Sequence, residues 1–274
     1  MSIAIVTGGA SGIGRAIATA LVSRGNTVVV TDINADGAAK VADRLNTLGK
    51  GKASAARLDV TDAAAVAELY QGVKDEHGSL DLVFNNAGIA IGGLAEELTL
   101  DHWNRAIDIN LKGVVHGVHA AYPIMLEQRS GHIVNTASLA GLVPMPIGIP
   151  YTATKHAVVG LSLGLRAEAA GRGVKVSVVC PSFVDTPLLT NVNPDLPATP
   201  MSGDAKEDIK KASPRLYTAE KLARDIMRGV QKNQALIVAP AHGRAAWRGV
   251  RLNPSAAVRV AQIAVNRVRA DQNR

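Results

Sequence analysis

Tyr151 and Lys155 stand four residues apart in GIPYTATKHAVVG, just after a proline suited to opening a helix. A free phenol is a poor base, with a pKa of about 10. On a helix, four steps of about 100° put the two side chains on one face. An ammonium held there favours the phenolate and lowers the tyrosine pKa. Acid–base work is best served by a pKa near working pH. Ser138 ends the run GHIVNTAS, where a residue just past a strand's carboxyl end can donate a hydrogen bond to a substrate oxygen. Together the three can take the proton of an alcohol, provided a hydride acceptor faces the carbon. Taken singly each has a plainer explanation: Tyr151 as a half-covered helix residue, Lys155 as a solvated one, Ser138 as a helix cap.

A second chemistry-bearing stretch is TGGASGIGR, which follows the first apolar run and opens a helical pattern. Gly8, Gly12 and Gly14 follow the spacing G-x-x-x-G-x-G rather than the commoner G-x-G-x-x-G. Glycine there permits positive φ and lets the main chain approach a pyrophosphate at a helix N-terminus. A tight strand-to-helix turn also wants glycine for its own sake. Asp32 ends the next apolar run, VVVTDI. A carboxylate at that point can accept hydrogen bonds from adenosine ribose hydroxyls, and it repels a 2′-phosphate. No Arg or Lys stands within GGASGIG or directly after Asp32 to pair with a phosphate, so the pattern favours NAD over NADP. The alternative is an aspartate that caps the following helix.

The elements that must position these residues alternate. SIAIVTG, TVVVTDI, SAARLDV, LDLVFNNAG, GHIVNTAS, VKVSVVCPS and ALIVAP read as strands, several of them continuous apolar runs suited to a sheet covered on both faces. GIGRAIATALVSRG, ADGAAKVADRLNTLG, AAAVAELYQGVKDEHG, a long stretch over 100–129 and PYTATKHAVVGLSLGLRAEAAGRG read as helices. Strand–helix alternation predicts an α/β chain with a doubly wound parallel sheet of about seven strands and helices on both faces. Right-handed crossovers then put ligands at the carboxyl ends of the strands. Residues 182–218, rich in Pro, Asn, Asp and Thr, break the rhythm and read as a lid over the sheet edge.

The chain has 274 residues, 47% of them hydrophobic and only 3% aromatic, so Ala, Val, Ile, Leu and Gly must build the core. Cys180 is the only cysteine, which excludes an intrachain disulfide and makes the cytoplasm the expected compartment. No apolar run reaches the roughly 18 residues of a membrane span. MSIAIVTGG lacks the basic region of a signal peptide. The net charge of +7 is concentrated at one end: residues 241–274 hold seven Arg and one Asp, leaving 23 basic and 22 acidic groups in the first 240. The nearly neutral body gives no reason to expect a nucleic-acid partner. His102, His116, His119, His132 and His156 show no ligand spacing with Cys, Asp or Glu, so no metal is expected.

With TGGASGIG, Asp32, LDV at 58–60, NNAG at 85–88, Asn110 in DINL, Ser138, YTATK at 151–155 and PSFVDTP at 181–187 on the page, the chain resembles the short-chain dehydrogenase/reductase family across residues 1–240. A Y-x-x-x-K alone carries little; the ordered set is specific. The resemblance implies a Rossmann-like single domain and reversible hydride transfer between NAD and a secondary alcohol or ketone. It implies Tyr151 as general base in oxidation and acid in reduction, and Ser138 as the group that orients the reacting oxygen. It makes Lys155 a modulator of Tyr151 and a ligand of the nicotinamide ribose, and Asn110 the holder of a relay water; the plainer explanation of Asn110 is a kink in a long helix. The cofactor contacts it implies are Gly8, Ser11, Gly12, Ile13, Gly14, Asp32 and Ile33; Asp59 and Val60 beside the adenine; Asn86, Ala87 and Gly88; and Pro181, Val184 and Thr186. The family usually has Pro-Gly where this chain has Pro181-Ser182, which bears on the last two. Homo-oligomers, tetrameric or dimeric, are also implied. A competing enzyme reading is NADPH-dependent reduction of a carrier-bound 3-oxoacyl group, which Asp32 opposes. A non-catalytic dinucleotide sensor is a third, opposed by the intact Ser138, Tyr151 and Lys155.

Between Ser138 and Tyr151 runs LAGLVPMPIGIP, almost without polar groups, and Phe183, Leu188 and Leu189 open the lid. Such a mouth suits a lipophilic substrate: a steroid, a terpenoid or a long-chain alcohol. In the basic extension, Arg244, Arg248 and Arg251 fall on one helical face, and Ala257, Val260, Ala261, Ala264 and Val268 form an apolar stripe with Arg259, Gln262 and Asn266 opposite. Ser255 is its cap. The stripe reads as a helix docked on its own body or a subunit neighbour, as a peripheral membrane contact through 244–274, or as the seat of an acidic protein partner.

Overall fold

Val- and Ile-rich runs form the interior of a parallel sheet in the computed structural model, which describes residues 1–190, 193, 195–200 and 216–272. Strands β1 (Ile3–Thr7), β2 (Thr27–Asp32), β3 (Lys52–Arg57), β4 (Leu82–Asn85), β5 (Gly131–Thr136) and β6 (Val174–Pro181) come in chain order. Two short strands, β7 (Val184–Asp185) and β8 (Tyr217–Thr218), pair only with each other, and β9 (Leu236–Ala239) ends the series. The main sheet has seven strands in the order β3-β2-β1-β4-β5-β6-β9, every pair parallel. Sequence order reverses between β1 and β4, which opens a crevice at their carboxyl ends.

Helices α1 (Gly12–Val22), α2 (Ala35–Asn46), α3 (Ala63–His77), α4 (Leu100–Ala106), α5 (Gly113–Gln128), α6 (Ile149–Glu168) and α7 (Ala219–Gln231) connect the strands. Each strand residue alternates between the two faces. In β1, Ala4 and Val6 pack with Ile17, Leu21, Leu222 and Ile226 of α1 and α7, while Ile3 and Ile5 pack with Val66, Tyr70 and Met125 of α3 and α5. Both faces are therefore covered, and the five residues of β1 are all buried. β3 is the exposed edge, with Lys52 and Arg57 at its ends, a charged termination that discourages edge pairing.

Two expectations are corrected, the unbroken helix over 100–129 and the apolar stripe of the basic extension. The single helix over 100–129 is divided by a π-helical segment, Ile107–Lys112, between α4 and α5. Asn110 lies inside it, and its side chain bonds both ways to the main chain of Ile89: Oδ1 accepts from the N–H at 2.9 Å and Nδ2 donates to the carbonyl at 3.0 Å. An inserted residue that re-aims a side chain is the usual role of such a bulge. The segment after β6, where it is described, reaches the loop that follows β4. It bonds there through Asn193 Nδ2 to the Ala90 carbonyl at 2.8 Å and Thr199 Oγ1 to the Gly92 carbonyl at 2.8 Å. The remainder of the expected lid, 191–192, 194 and 201–215, lies outside the described residues.

The basic extension forms α8 (Ala241–Leu252) and α9 (Pro254–Gln272). Its apolar stripe is rotated from the expected one: Ala257, Ala261, Val265 and Val268 are half-buried, while Val260 is 67% exposed. The face is set by where α9 docks. Arg269 donates to Glu96 Oε1 at 2.9 Å and Gln272 to Glu97 Oε1 at 2.9 Å, so α9 lies on the chain's own body. No described helix is long and apolar enough to cross a membrane.

Candidate active site

Helix α6 begins at Ile149, after Gly148 with φ 144 and with Pro150 in its first turn, so Tyr151 sits at its mouth beside the carboxyl end of β5. Ser138 follows β5 and takes the extended conformation that caps a short 3₁₀ turn, its Oγ accepting from Ala140 N–H at 3.2 Å. The Ser138 hydroxyl lies close enough to the Tyr151 phenol to favour its ionised form. Lys155, one turn along α6, is only 3% exposed. Its Nζ lies 5.5 Å from the centre of the Tyr151 ring and donates to the Thr136 carbonyl at 3.0 Å. Two hydroxyls and a buried cation therefore converge where β4, β5 and β6 end.

Burial is the largest influence on the electrostatics of both groups. Burial raises the phenol pKa above its ordinary value, and Ser138 only partly offsets that. The Lys155 Nζ lies over the ring and gives one hydrogen bond to the Thr136 carbonyl. Burial acts on the lysine too, pushing it down to about 8. The Cys180 thiol beside them is pushed up to about 12 by burial, so at neutral pH it is an uncharged packing group.

Gly88 brings Asn110 to the same place. A Cβ on Gly88 would lie 2.9 Å from Asn110 Oδ1 and 3.5 Å from Lys155 Nζ, so only a bare Cα lets the two approach. Its neighbours hold the strand ends together: Asn86 N–H and Ala87 N–H donate to Thr7 Oγ1 at 2.9 and 3.0 Å, and Asn86 Nδ2 donates to the Thr7 carbonyl at 3.0 Å.

The glycine turn lies across the crevice. Gly8 and Gly12 take the left-handed backbone, with φ 64 and 49. A Cβ on Gly12 would meet Thr186 Cβ at 3.2 Å, so the turn and the segment after β6 form two close walls. Ser11, exposed, precedes Gly12, Ile13 and Gly14 and makes no capping bond to α1. Asp32 ends β2, accepting from Ala10 N–H at 3.1 Å and Asn34 N–H at 3.0 Å, and Ile33 beside it is 59% exposed. Asp59 and Val60 follow β3. Burial pushes the Asp59 carboxyl up, but bonds from the Thr61 N–H and hydroxyl, with Arg105 and Arg57 nearby, outweigh it and leave the group below its ordinary value. The Val60 carbonyl meets His116 Nδ1 at 2.9 Å. Pro181 ends β6, and Val184 is buried. Ser182 is not among the described residues with positive φ, so serine fits its place without strain; its N–H donates to the Ala239 carbonyl at 2.8 Å. Ile147 is strained instead, a β-branched residue with φ 62 directly before Gly148.

Sequence reasoning missed Thr7 and Thr136, which position Asn86 and Lys155, and a buried polar chain beneath them. Tyr70 donates to Asn85 Oδ1 at 3.2 Å, Asn85 to Asn135 Oδ1 at 2.9 Å, and Asn135 to Ser162 Oγ at 3.0 Å. An asparagine inside each of two apolar strand runs, FNNAG and HIVNTAS, is the signal that could have revealed it, since a buried amide requires partners.

Residues 2–197 match the family model described as short chain dehydrogenase. An uncharacterized oxidoreductase of Staphylococcus aureus (strain MRSA252) is 40% identical over 192 residues, 70% of this chain and 82% of that protein. A cyclohexanol dehydrogenase of Acinetobacter sp. (strain SE19) is 39% identical over 189 residues, 68% of this chain and 74% of that protein. Among solved structures, a short chain dehydrogenase/reductase from Burkholderia phymatum in complex with NAD superposes with a TM-score of 0.82 at 32% identity, covering 90% of this chain and 92% of that one. Levodione reductase superposes with a TM-score of 0.76 at 28% identity, covering 88% and 95%.

Proposed function

We propose that this chain, an oxidoreductase that belongs to the short-chain dehydrogenase family, transfers a hydride between NAD(H) and a lipophilic secondary alcohol or ketone, with Tyr151 moving the proton. The observation that carries the reading is the convergence of the Ser138 and Tyr151 hydroxyls over the buried Lys155 at the carboxyl ends of β4, β5 and β6.

A dinucleotide fits the residues present. The uncapped start of α1, behind a glycine turn with Thr186 close beside Gly12, offers backbone N–H groups to a pyrophosphate. Asp32, fixed by two main-chain donors, has acceptor capacity left for ribose hydroxyls, and its charge disfavours a 2′-phosphate. Ile33, Asp59 and Val60 would flank the adenine, Asn86, Ala87 and Gly88 the adenosine side, and Pro181, Val184 and Thr186 the carboxamide. Lys155 has spent one N–H on Thr136 and keeps two for the nicotinamide ribose and for a water beside Asn110. When bound, the nicotinamide supplies the hydride acceptor or donor.

The protein's part is to handle the proton. In reduction Tyr151 Oη gives its proton to the carbonyl oxygen while Ser138 Oγ orients that oxygen. In oxidation Oη receives the hydroxyl proton. A phenol held above its ordinary pKa is a competent donor at neutral pH and becomes a base only as pH rises. Reduction is therefore favoured at neutral pH and oxidation in alkali. The apolar segment 139–150 supports a lipophilic substrate, as does likeness to a protein named for cyclohexanol. Half-exposed Val115 and Leu163 on α5 and α6 support a homo-oligomer formed through those helices.

The test is a panel of lipophilic alcohols and small polyols, each with NAD and NADP, followed by absorbance of the reduced cofactor. Turnover of the lipophilic alcohols with NAD is expected. No turnover with any alcohol, or turnover of polyols alone, overturns the substrate class. Preference for NADP overturns the role given to Asp32.

A further inference from the structure

The basic extension is seated on the body by one side only. In α8, Trp247 and Val250 pack on the cluster that holds Leu139, Cys180 and Val238, and a Cβ on Gly243 would lie 3.5 Å from Ser182 Cβ. Arg244 donates to the Val238 carbonyl at 2.9 Å, and Arg251 lies over the Trp247 ring at 5.6 Å. Helix α9 follows the same plan. Ala257, Ala261, Val265 and Val268 turn inward, while Arg269 and Gln272 bond to Glu96 and Glu97.

The other side of α9 is uncovered. Ala256, Val260, Ile263 and Arg267 recur at i, i+4, i+7 and i+11, one stripe of a helix. All four are exposed, Val260 by 67% and Ile263 by 53%. Arg259 and Arg267 stand one turn before and one turn after Ile263. In α8, Leu252 is 87% exposed and Arg248 is exposed as well. Among the described side chains, none forms an ion pair with Arg248, Arg259 or Arg267.

Bare aliphatic side chains between unpaired guanidiniums call for a ligand that carries both hydrocarbon and negative charge. Residues 241–274 hold seven Arg and one Asp, so the complement is anionic. A second copy seated here would set its own arginines against these. A nucleic acid would supply phosphates but leave Val260 and Ile263 against polar groups. A bilayer of anionic lipid supplies phosphate oxygens and hydrocarbon within the width of one helix. We propose that the outward face of α9 lies on an anionic phospholipid surface. Val260 and Ile263 enter the boundary between headgroups and acyl chains. Arg259 and Arg267 bind headgroup phosphates, each guanidinium through two parallel hydrogen bonds, with their stems laid along the apolar stripe. Arg248 adds to the attraction from α8. The helix lies in the interface, since no described helix is long and apolar enough to cross it. The inference does not depend on the reaction proposed above.

The experiment is co-sedimentation of the full chain with vesicles of phosphatidylglycerol and phosphatidylcholine in equal parts, and with vesicles of phosphatidylcholine alone. Binding to the mixed vesicles and none to the neutral ones is expected. Raising salt from about 0.1 M to about 1 M shortens the screening length from about 10 to about 3 Å and is expected to weaken binding more than tenfold. Each arginine near such a surface strengthens binding about fivefold. Arg259→Gln with Arg267→Gln is therefore expected to lower affinity about 25-fold, and Arg259→Lys with Arg267→Lys less than about threefold. Val260→Ser with Ile263→Ser is expected to lower it about tenfold. The replaced side chains are exposed, so every variant is expected to keep the unmodified Tm, measured alongside. Equal binding to both kinds of vesicle, no binding to the mixed ones, or a glutamine pair that binds as tightly as the unmodified chain overturns the proposal. A chain that ignores the mixed vesicles but is retained on polyglutamate gives this face to an acidic protein. One that ignores them but dimerises, unless Val260 and Ile263 are replaced, gives it to a second copy. Either result discards the lipid.

Discussion

Replacing Lys155 by Met is expected to stabilise the fold and abolish turnover at once. The lysine is 3% exposed. Burial moves its pKa from 10.5 to about 8, and at about 1.36 kcal/mol per pKa unit the charged form is disfavoured by about 3 kcal/mol. Methionine keeps most of the stem and removes the charge. It forfeits the bond to the Thr136 carbonyl, worth about 1 kcal/mol. A net gain of about 2 kcal/mol at pH 7 remains, equivalent to a rise in Tm of about 4–8 °C for a chain of this size. The pH dependence fixes the sign. Between pH 8 and 10.5 the unfolded chain binds a proton that the folded chain has released, so the unmodified protein gains stability as pH rises through that window and lacks it below. The advantage of Lys155→Met is therefore largest at neutral pH and shrinks toward pH 10.5. Scanning calorimetry of both proteins, free of cofactor, at pH 7 and 10 reads this directly. A lower Tm for the variant at pH 7, or an advantage that grows with pH, would refute the argument that the cation is held at a cost.

Two further outcomes follow from the same geometry. Gly88→Ala puts a Cβ 2.9 Å from Asn110 Oδ1; the amide must move off Ile89, and urea titration is expected to show a loss of about 1–3 kcal/mol with kcat down more than tenfold. His132 is pushed down to about 4, by burial first and then by Lys175 and Arg166, and its Nε2 meets Ser177 Oγ at 2.8 Å. Its folded pKa is depressed, so the stability it carries is present above pH 6.5 and lost as pH falls toward 4, by about 3 kcal/mol in all. His132→Gln is expected to flatten the fall of the urea midpoint between pH 7 and 4.5.

What could be read from the chain alone follows from locality. The run TVVVTD is apolar on both faces and forms a strand buried on both faces, and the glycines of TGGASGIG sit at the turn whose backbone only they adopt freely. Those signals lie within a few residues. The π segment carries Asn110 to the main chain of Ile89, 21 positions away, and nothing in DINL hints at that contact. The Asn85–Asn135 bond exists because the register of β4 and β5 sets those two side by side. Spacing along a helix puts Tyr151 and Lys155 on one face but says nothing about desolvation, which is the largest influence on both groups. Alanine and valine on several faces of α9 leave periodicity alone unable to choose its inward face.

The central claim, that the Tyr151 hydroxyl exchanges the substrate proton, is tested most directly by Tyr151→Phe, with kcat on a lipophilic alcohol and the dissociation constant for NAD measured side by side. The account predicts a kcat lower by about 10³-fold, within the range for a lost general acid–base, with NAD bound as tightly as before to within a few-fold. Turnover within tenfold of the unmodified protein would contradict it.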